Sequence, residues 1–280
     1  MIKFWEYFIK LLHKLKVIQY FNFCVWVKFY DREVKIPIIG EMGIFNLVMD
    51  EFWISDIYKM VHHDYKTCVD FGANLGQTLI KLKSIDSTCR YIGVEPNSNC
   101  VYYLNELVLK NSYKNTIIIP VAIGEKNALE VLYFLWNEKA DRSATQYPEV
   151  SSIDDALKQV VCSITYENLC TFFPNDPLFI KIDIEKAEHV LLKHVLRNQK
   201  NIILLEVLPG SKPEDLLRIR ACNESIKTFQ FEIYRILKHK EYLSGFHRIQ
   251  EIPTEGKIEE CDYMLVHGNQ SDKFKHEIKL

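Results

Sequence analysis

Residues 67–80, TCVDFGANLGQTLI, constrain the fold more than any other part of this 280-residue chain. Cys68, Val69 and Phe71 favour a β-strand, with Asp70 near its carboxyl end. The chain then turns through Gly72-Ala73-Asn74-Leu75-Gly76 and enters a helix at Gln77-Thr78-Leu79-Ile80. A strand that turns on two glycines into a helix presents backbone N–H groups at the mouth of an open α/β sheet, where an adenosine-type ligand sits. Glycine spares the loop a Cβ at 72, letting backbone approach a ligand, and lets the helix start pack closely at 76. The spacing is GxxxG, not the GxGxxG of a dinucleotide pyrophosphate site, and tight strand–helix turns also use glycine for purely structural reasons.

From residue 65 onward the pattern is strand–helix alternation, the signature of βαβ units. Strands are expected at 91–94, 116–123, 129–136, 160–165, 178–184 and 202–207, then at 231–236 and 262–266 with one of the last pair antiparallel. The segment between that pair is too irregular for a helix. Helices are expected at 98–110 with Asn97 as N-cap, briefly at 167–172, and at 186–198. Ser211 followed by Glu214 opens another in capping-box form. Residues 137–154 form a long polar loop, and such loops are often functional. Residues 1–66 precede this pattern as a helix, a hairpin (21–30 and 33–39 about Asp31-Arg32) and a second helix capped by Asp50. The expected division is 1–66 as an extension and 67–280 as the main domain, with no Pro/Gly/Ser-rich linker between them.

The formal net charge of -2 gives no basic field for nucleic acid. The eight cysteines are scattered without a CxxC, several within apolar runs, so reduced thiols in a cytoplasmic setting are expected rather than zinc or disulfides. The first sixteen residues, MIKFWEYFIKLLHKLK, place Phe4, Phe8, Leu11, Leu12 and Leu15 at helical spacing with lysines between. Such a helix rests on a membrane surface, or packs on the domain with its lysines in water. The uncharged run after it is too short to span a bilayer, and no signal-cleavage site follows.

Three constellations carry chemistry. The first is the turn at 70–78. The second is Glu95-Pro96-Asn97, about twenty residues past the glycine turn, where an acid reaches ribose hydroxyls. Together they indicate a nucleoside ligand with a charged amino-acid tail or a pyrophosphate. The third is Lys181-Ile-Asp183-Ile-Glu185-Lys186-Ala187-Glu188-His189, whose carboxylates face the same crevice and could take a proton from a hydroxyl. An acidic helix N-terminus stabilised by its dipole explains Glu185 and Glu188 equally well. Glu206, ending the next strand, is a further candidate. No metal-ligand set is required.

VDFGANLGQT (69–78), GVEPN (93–97), PVAIG (120–124), SITYENL (163–169) and KIDIEKAEHVLL (181–192) resemble, in order and spacing, the FkbM family of methyltransferases, over roughly residues 50–267. The resemblance implies a Rossmann-like class I fold: a mostly parallel seven-stranded sheet with helices on both faces, here with an N-terminal helix and hairpin extension. It implies S-adenosylmethionine as cofactor, with Asp70, Gly72, Asn74 and Gly76 lining its methionine end and Ala73, Gln77 and Thr78 beside them. Glu95, flanked by Pro96 and Asn97, matches the ribose-binding acid, and Ala122 lies where backbone approaches adenine. Asp183 is the first candidate base, followed by Glu188 and Glu185. The family's Glu-Gly-x-Glu is here Glu185-Lys186-Ala187-Glu188, and its Thr-Leu-Asp-Asp-Leu-like segment is Thr165-Tyr166-Glu167-Asn168-Leu169. The implied reaction is O-methylation of a saccharide, glycolipid or polyketide-type hydroxyl. The rival readings are an NAD-dependent oxidoreductase and a non-catalytic protein that kept the fold.

Overall fold

The computed structural model describes residues 22–47, 51–134, 157–174, 176–184, 186–210, 212–257 and 261–270, with Lys14 and Tyr20. The expected amphipathic helix at 1–16, the Asp50 cap, the loop at 137–154, Glu185 and the Ser211 cap fall outside the described residues.

Strands β1 (Asn22–Phe29) and β2 (Arg32–Ile39) form the early hairpin. Its turn is one residue earlier than expected, at Tyr30-Asp31, with Tyr30 left-handed at φ 53. Helix α1 (Phe52–Val61) follows. The alternating part then runs β3 (Thr67–Phe71), α2 (Gln77–Ile85), β4 (Arg90–Val94), α3 (Ser98–Asn111) and β5 (Thr116–Ile119). A small layer comes next: β6 (Ala122–Ile123), β7 (Ala128–Phe134), β8 (Leu157–Ile164) and the short helix α4 (Tyr166–Leu169). The chain returns with β9 (Leu178–Ile182), α5 (Glu188–Val195), β10 (Ile202–Glu206), α6 (Pro213–Thr228), β11 (Phe231–His239), β12 (Tyr242–Ile249) and β13 (Asp262–His267).

The main sheet has the order β12-β11-β13-β10-β9-β3-β4-β5. Its five strands from β10 to β5 are parallel, and β13 runs antiparallel to both β10 and β11. Eight strands replace the expected seven because 242–249 pairs with β11 at the sheet edge. The expected strand at 116–123 is two: Pro120 cannot donate to a ladder, and the chain leaves β5 there to place β6 in a separate three-stranded sheet with β8 and β7. The strands expected at 129–136 and 160–165 are β7 and β8 of that small sheet, described over Ala128–Phe134 and Leu157–Ile164.

Strand alternation divides the core in two. Cys68, Tyr91, Phe179, Leu204 and Met264 pack with the hairpin and helices α1, α2 and α3. Val69, Ile92, Ile180, Ile203 and Leu265 pack with α5 and α6. The hairpin is tied to α3 by a reciprocal pair: Lys35 N–H donates to Asn111 Oδ1 and Asn111 Nδ2 donates to Lys35 O, both at 2.8 Å. All eight cysteines are free thiols. Among the described residues no helix is long and apolar enough to cross a membrane.

From β3 the sheet grows one way to β4 and β5, and the other way to β9 and β10. This switch point lies between β3 and β9, and open α/β sheets bind ligands beyond the carboxyl ends of the strands at such a point.

Candidate active site

The turn after β3 is built by backbone requirements. Gly72, Asn74 and Gly76 all have positive φ, at 85°, 46° and 79°. The Gly72 and Ala73 N–H groups donate to Val94 O at 3.0 and 3.2 Å, continuing the β3–β4 ladder into the turn. A Cβ on Gly72 would lie 1.8 Å from the Asp183 carbonyl oxygen. Gly72 therefore makes room for the backbone beyond β9, where Asp183 N–H donates to Phe71 O at 3.0 Å, a need that the sequence did not disclose. A Cβ on Gly76 would meet Leu107 and Leu104 at 2.8 and 2.9 Å, so this glycine sets how closely α2 meets α3.

Asp70 is wholly buried. Tyr91 Oη donates to its Oδ2, while Oδ1 has no hydrogen-bond partner. Burial pushes its carboxyl up to about 6, against the pull of Lys181 and the Tyr91 bond. Thr78, from the first turn of α2, is buried beside it, and its hydroxyl also helps hold the carboxyl down. Glu95 follows β4 and is also buried. Its Oε2 accepts from Asn74 N–H at 2.9 Å and its Oε1 from Asn97 N–H at 2.8 Å, which fixes the carboxylate beside the turn. Asn97 caps α3 as expected, accepting from Asn99 N–H at 3.0 Å, and its Nδ2 is buried without a partner. The Gln77 side-chain amide donates to Phe45 O at 3.3 Å. Ala73 is buried, Pro96 is half-buried at the crevice end of β4, and Ala122 begins β6, paired with Ser163.

The third constellation splits. Asp183, partly exposed, ends β9 beside the Gly72 turn and pairs with Lys181 at 2.7 Å. Burial pulls the Lys181 ammonium down, but the carboxylates of Asp183, Asp70 and Glu51 outweigh it and hold the group charged. Glu206 ends the neighbouring strand β10. The Asp183 charge first, then burial, pushes its carboxyl up to about 9. Beyond it, Asp262 pairs with Lys238.

Glu188 goes elsewhere. It is buried, with Oε2 on Arg218 at 2.8 Å and Oε1 accepting from Lys186 N–H at 2.9 Å. Its carboxylate is occupied by an ion pair between α5 and α6, which corrects the expectation that it serves as a base. Lys186 stands where the resembled family has glycine and keeps a glycine-like backbone, φ 76, while its ammonium reaches Asp215 at 3.5 Å. Tyr91, Asp262 and Arg218 were missed because each acts across strands or helices. The sole signal for Tyr91 and Lys181 was a polar group on an otherwise apolar strand.

A Methyltransferase FkbM domain matches residues 70–243, from the Asp70 turn to the start of β12. The chain belongs to the FkbM methyltransferase family. Its cofactor is S-adenosylmethionine, and the NAD reading falls. No curated protein matches the chain. Solved structures similar to it include the Thermotoga maritima SAM-dependent O-methyltransferase, at 10% identity, TM-score 0.38, covering 86% of this chain and 76% of that one. M. jannaschii TYW2, in complex with AdoMet, is 12% identical with TM-score 0.39, covering 87% of this chain and 86% of that one. The Geobacter metallireducens precorrin-6y C5,15-methyltransferase is 12% identical with TM-score 0.36, covering 72% and 80%.

The residues present fit that cofactor. Asp70 Oδ1 is a buried acceptor lacking a donor, and Glu95 is a buried acid held in place by two N–H groups. Both gain from a cationic or hydroxyl-bearing ligand.

Glu95 yields a pH prediction. Burial, against the bonds from Asn97 and Asn74, lifts its carboxyl from 4.5 to about 7. The folded value lies above the unfolded one, so the stability contributed by this group is present below about 4.5 and lost as pH rises through about 7. With the expected ribose hydroxyls as its partner, ligand binding would run the other way, because hydroxyls donate to an ionised carboxylate. S-Adenosylhomocysteine is expected to bind about tenfold more weakly at pH 6 than at pH 8. Calorimetric titration across that range checks this, and Glu95→Gln should flatten the dependence.

Proposed function

We propose that the chain transfers the methyl group of S-adenosylmethionine to a hydroxyl oxygen of a saccharide, glycolipid or polyketide-type acceptor, with Asp183 as general base. The observation that carries the reading is the place of Asp183. It is a partly exposed carboxylate whose own backbone seals the cofactor turn, through the Phe71 bond and the contact with Gly72.

When bound, the cofactor supplies an electrophilic methyl on a sulfonium sulfur. The chain's own residues orient the partners and handle the proton. Asp70 offers an unpartnered acceptor, Glu95 would offer acceptors to ribose hydroxyls, and the first N–H groups of α2 would receive a carboxylate. Asp183 accepts the proton of the acceptor hydroxyl as its oxygen attacks. Lys181, held charged against Asp183, keeps that carboxylate oriented. Positioning of this kind accounts for most of what a methyl transfer asks of a protein.

A glycan or glycolipid acceptor is supported by the alternation of lysines and large apolar residues at 1–16, which suits a peripheral contact with the inner face of a membrane. A cytoplasmic location accords with scattered, unpaired cysteines.

The test is titration of S-adenosylhomocysteine followed by methyl transfer from labelled cofactor to hydroxylated glycan, glycolipid and macrolide acceptors. Asp183→Asn is expected to lower turnover about a hundredfold while cofactor affinity stays within about threefold. Full turnover in that variant would remove Asp183 as base. Cofactor binding without transfer to any acceptor would favour the non-catalytic reading.

A further inference from the structure

The family match begins at residue 70, yet the turn at 72–77 is gripped by a segment that precedes it. Asn46, in the loop after the hairpin, is wholly buried. Its Nδ2 donates to Leu75 O at 2.7 Å and lies 3.2 Å from Tyr103 Oη. Tyr103 in turn donates to Pro37 O at 3.0 Å, and Asn46 N–H is tied back to Gly43 O at 3.0 Å. The neighbouring Phe45 carbonyl takes the Gln77 side-chain amide. A Cβ on Gly43 would meet Pro37 O at 2.1 Å and Tyr103 Oη at 2.5 Å, so the loop fits against α3 only with glycine there.

The Leu75–Gly76 peptide is consequently held at both ends. Its carbonyl accepts from Asn46, and its N–H donates to Ala73 O at 2.9 Å. That peptide leads directly into the first turn of α2, whose N–H groups have no partner within the helix. Its tilt decides where those donors point.

A second feature separates positioning from simple packing. Asn46 Oδ1 is buried with no hydrogen-bond partner. The side chain carries a desolvated acceptor that an apolar residue of similar size would avoid, and such exceptions call for an explanation. What the amide provides in exchange is the donor to Leu75 O.

We infer that Asn46 is a positioning residue for the cofactor: it fixes the Leu75 carbonyl and so aims the α2 N–H donors, making the extension before the family domain part of the cofactor site. This rests on the reading of the turn as that site. Asn46→Leu keeps the branched outline, with bulkier methyls in place of the amide nitrogen and oxygen, removes the donor and relieves the orphaned acceptor; Asn46→Asp keeps the shape but turns an oxygen toward Leu75 O.

The experiment is calorimetric titration of S-adenosylhomocysteine on the full chain and both variants, with thermal melting of each. Asn46→Leu is expected to bind about tenfold more weakly with Tm within a few degrees of wild type, and Asn46→Asp to bind at least as weakly. Wild-type affinity in Asn46→Leu, at whatever Tm, would overturn the inference while leaving the cofactor site intact. No binding by the folded wild type would overturn the site itself and the inference with it. Should Asn46→Leu fail to fold, Asn46→Asp and hydrogen exchange at 74–78 decide: wild-type affinity and wild-type protection there would overturn the inference.

Discussion

Gly72→Ala is expected to destabilise the protein by about 3 kcal/mol or more and to abolish cofactor binding in whatever fraction remains folded. Two penalties act together. The backbone at 72 is left-handed, φ 85, where an L side chain costs about 1–2 kcal/mol. The larger penalty is steric. The added methyl would sit 1.8 Å from the Asp183 carbonyl oxygen and 2.9 Å from its carbonyl carbon, both backbone atoms that no rotamer change can move. Relief requires the turn to lift from the end of β9. That would stretch the bond from Asp183 N–H to Phe71 O and swing the Gly72 and Ala73 N–H groups away from Val94 O. These atoms also frame the crevice, so stability and affinity should fall together. Urea unfolding and titration of S-adenosylhomocysteine measure both. Gly256→Ala is the control, since its Cβ would meet nothing within 4 Å, and it should be close to neutral. A loss below about 1 kcal/mol for Gly72→Ala would mean that the turn and β9 separate easily, contrary to the geometry.

What the sequence disclosed follows how local each feature is. The β3–turn–α2 unit was legible because strand period, glycine spacing and helix start lie within fourteen consecutive residues. The N-cap of α3 was legible for the same reason: Asn97 reaches only to Asn99. The small sheet was half-legible. Its strands have β-rich sequence, but nothing local says that Pro120 diverts the chain out of the main sheet. Strand β12 escaped because it is a half-exposed edge strand with Gly245 opposite an irregularity at Leu237/Lys238, so no clean alternation survives. Gly72 was singled out for backbone approach to a ligand, and its packing against Asp183 was not legible because that neighbour lies more than a hundred residues away. Asn46 gave no signal at all: a lone asparagine in a loop is ordinary, and only the fold brings Leu75 to it.

Glu188 shows the same limit with the largest consequence for chemistry. By sequence it sits five residues past Asp183 in an acidic segment, and either catalysis or helix capping accounts for it. The fold pairs it with Arg218, thirty residues on, at 2.8 Å with both side chains buried. Arg218→Ala should therefore cost about 3–5 kcal/mol in urea unfolding, because it leaves a buried carboxylate held only by Lys186 N–H. Glu188→Ala should cost a similar amount, lessened by what Arg218 retains: a bond to Leu208 O at 2.6 Å and Asp215 at 3.8 Å. The decisive variant is double. Replacing both by apolar residues, Glu188→Leu with Arg218→Met, removes the charges together and should recover most of the loss, since buried pairs exchanged for well-packed apolar groups are often neutral. A structural pair predicts one further result. The double variant should keep methyl transfer within about threefold of wild type, whereas a base at Glu188 would lose about a hundredfold or more despite restored stability. Recovery of stability without recovery of turnover would return Glu188 to the catalytic site and require the α5 N-terminus to open during the reaction.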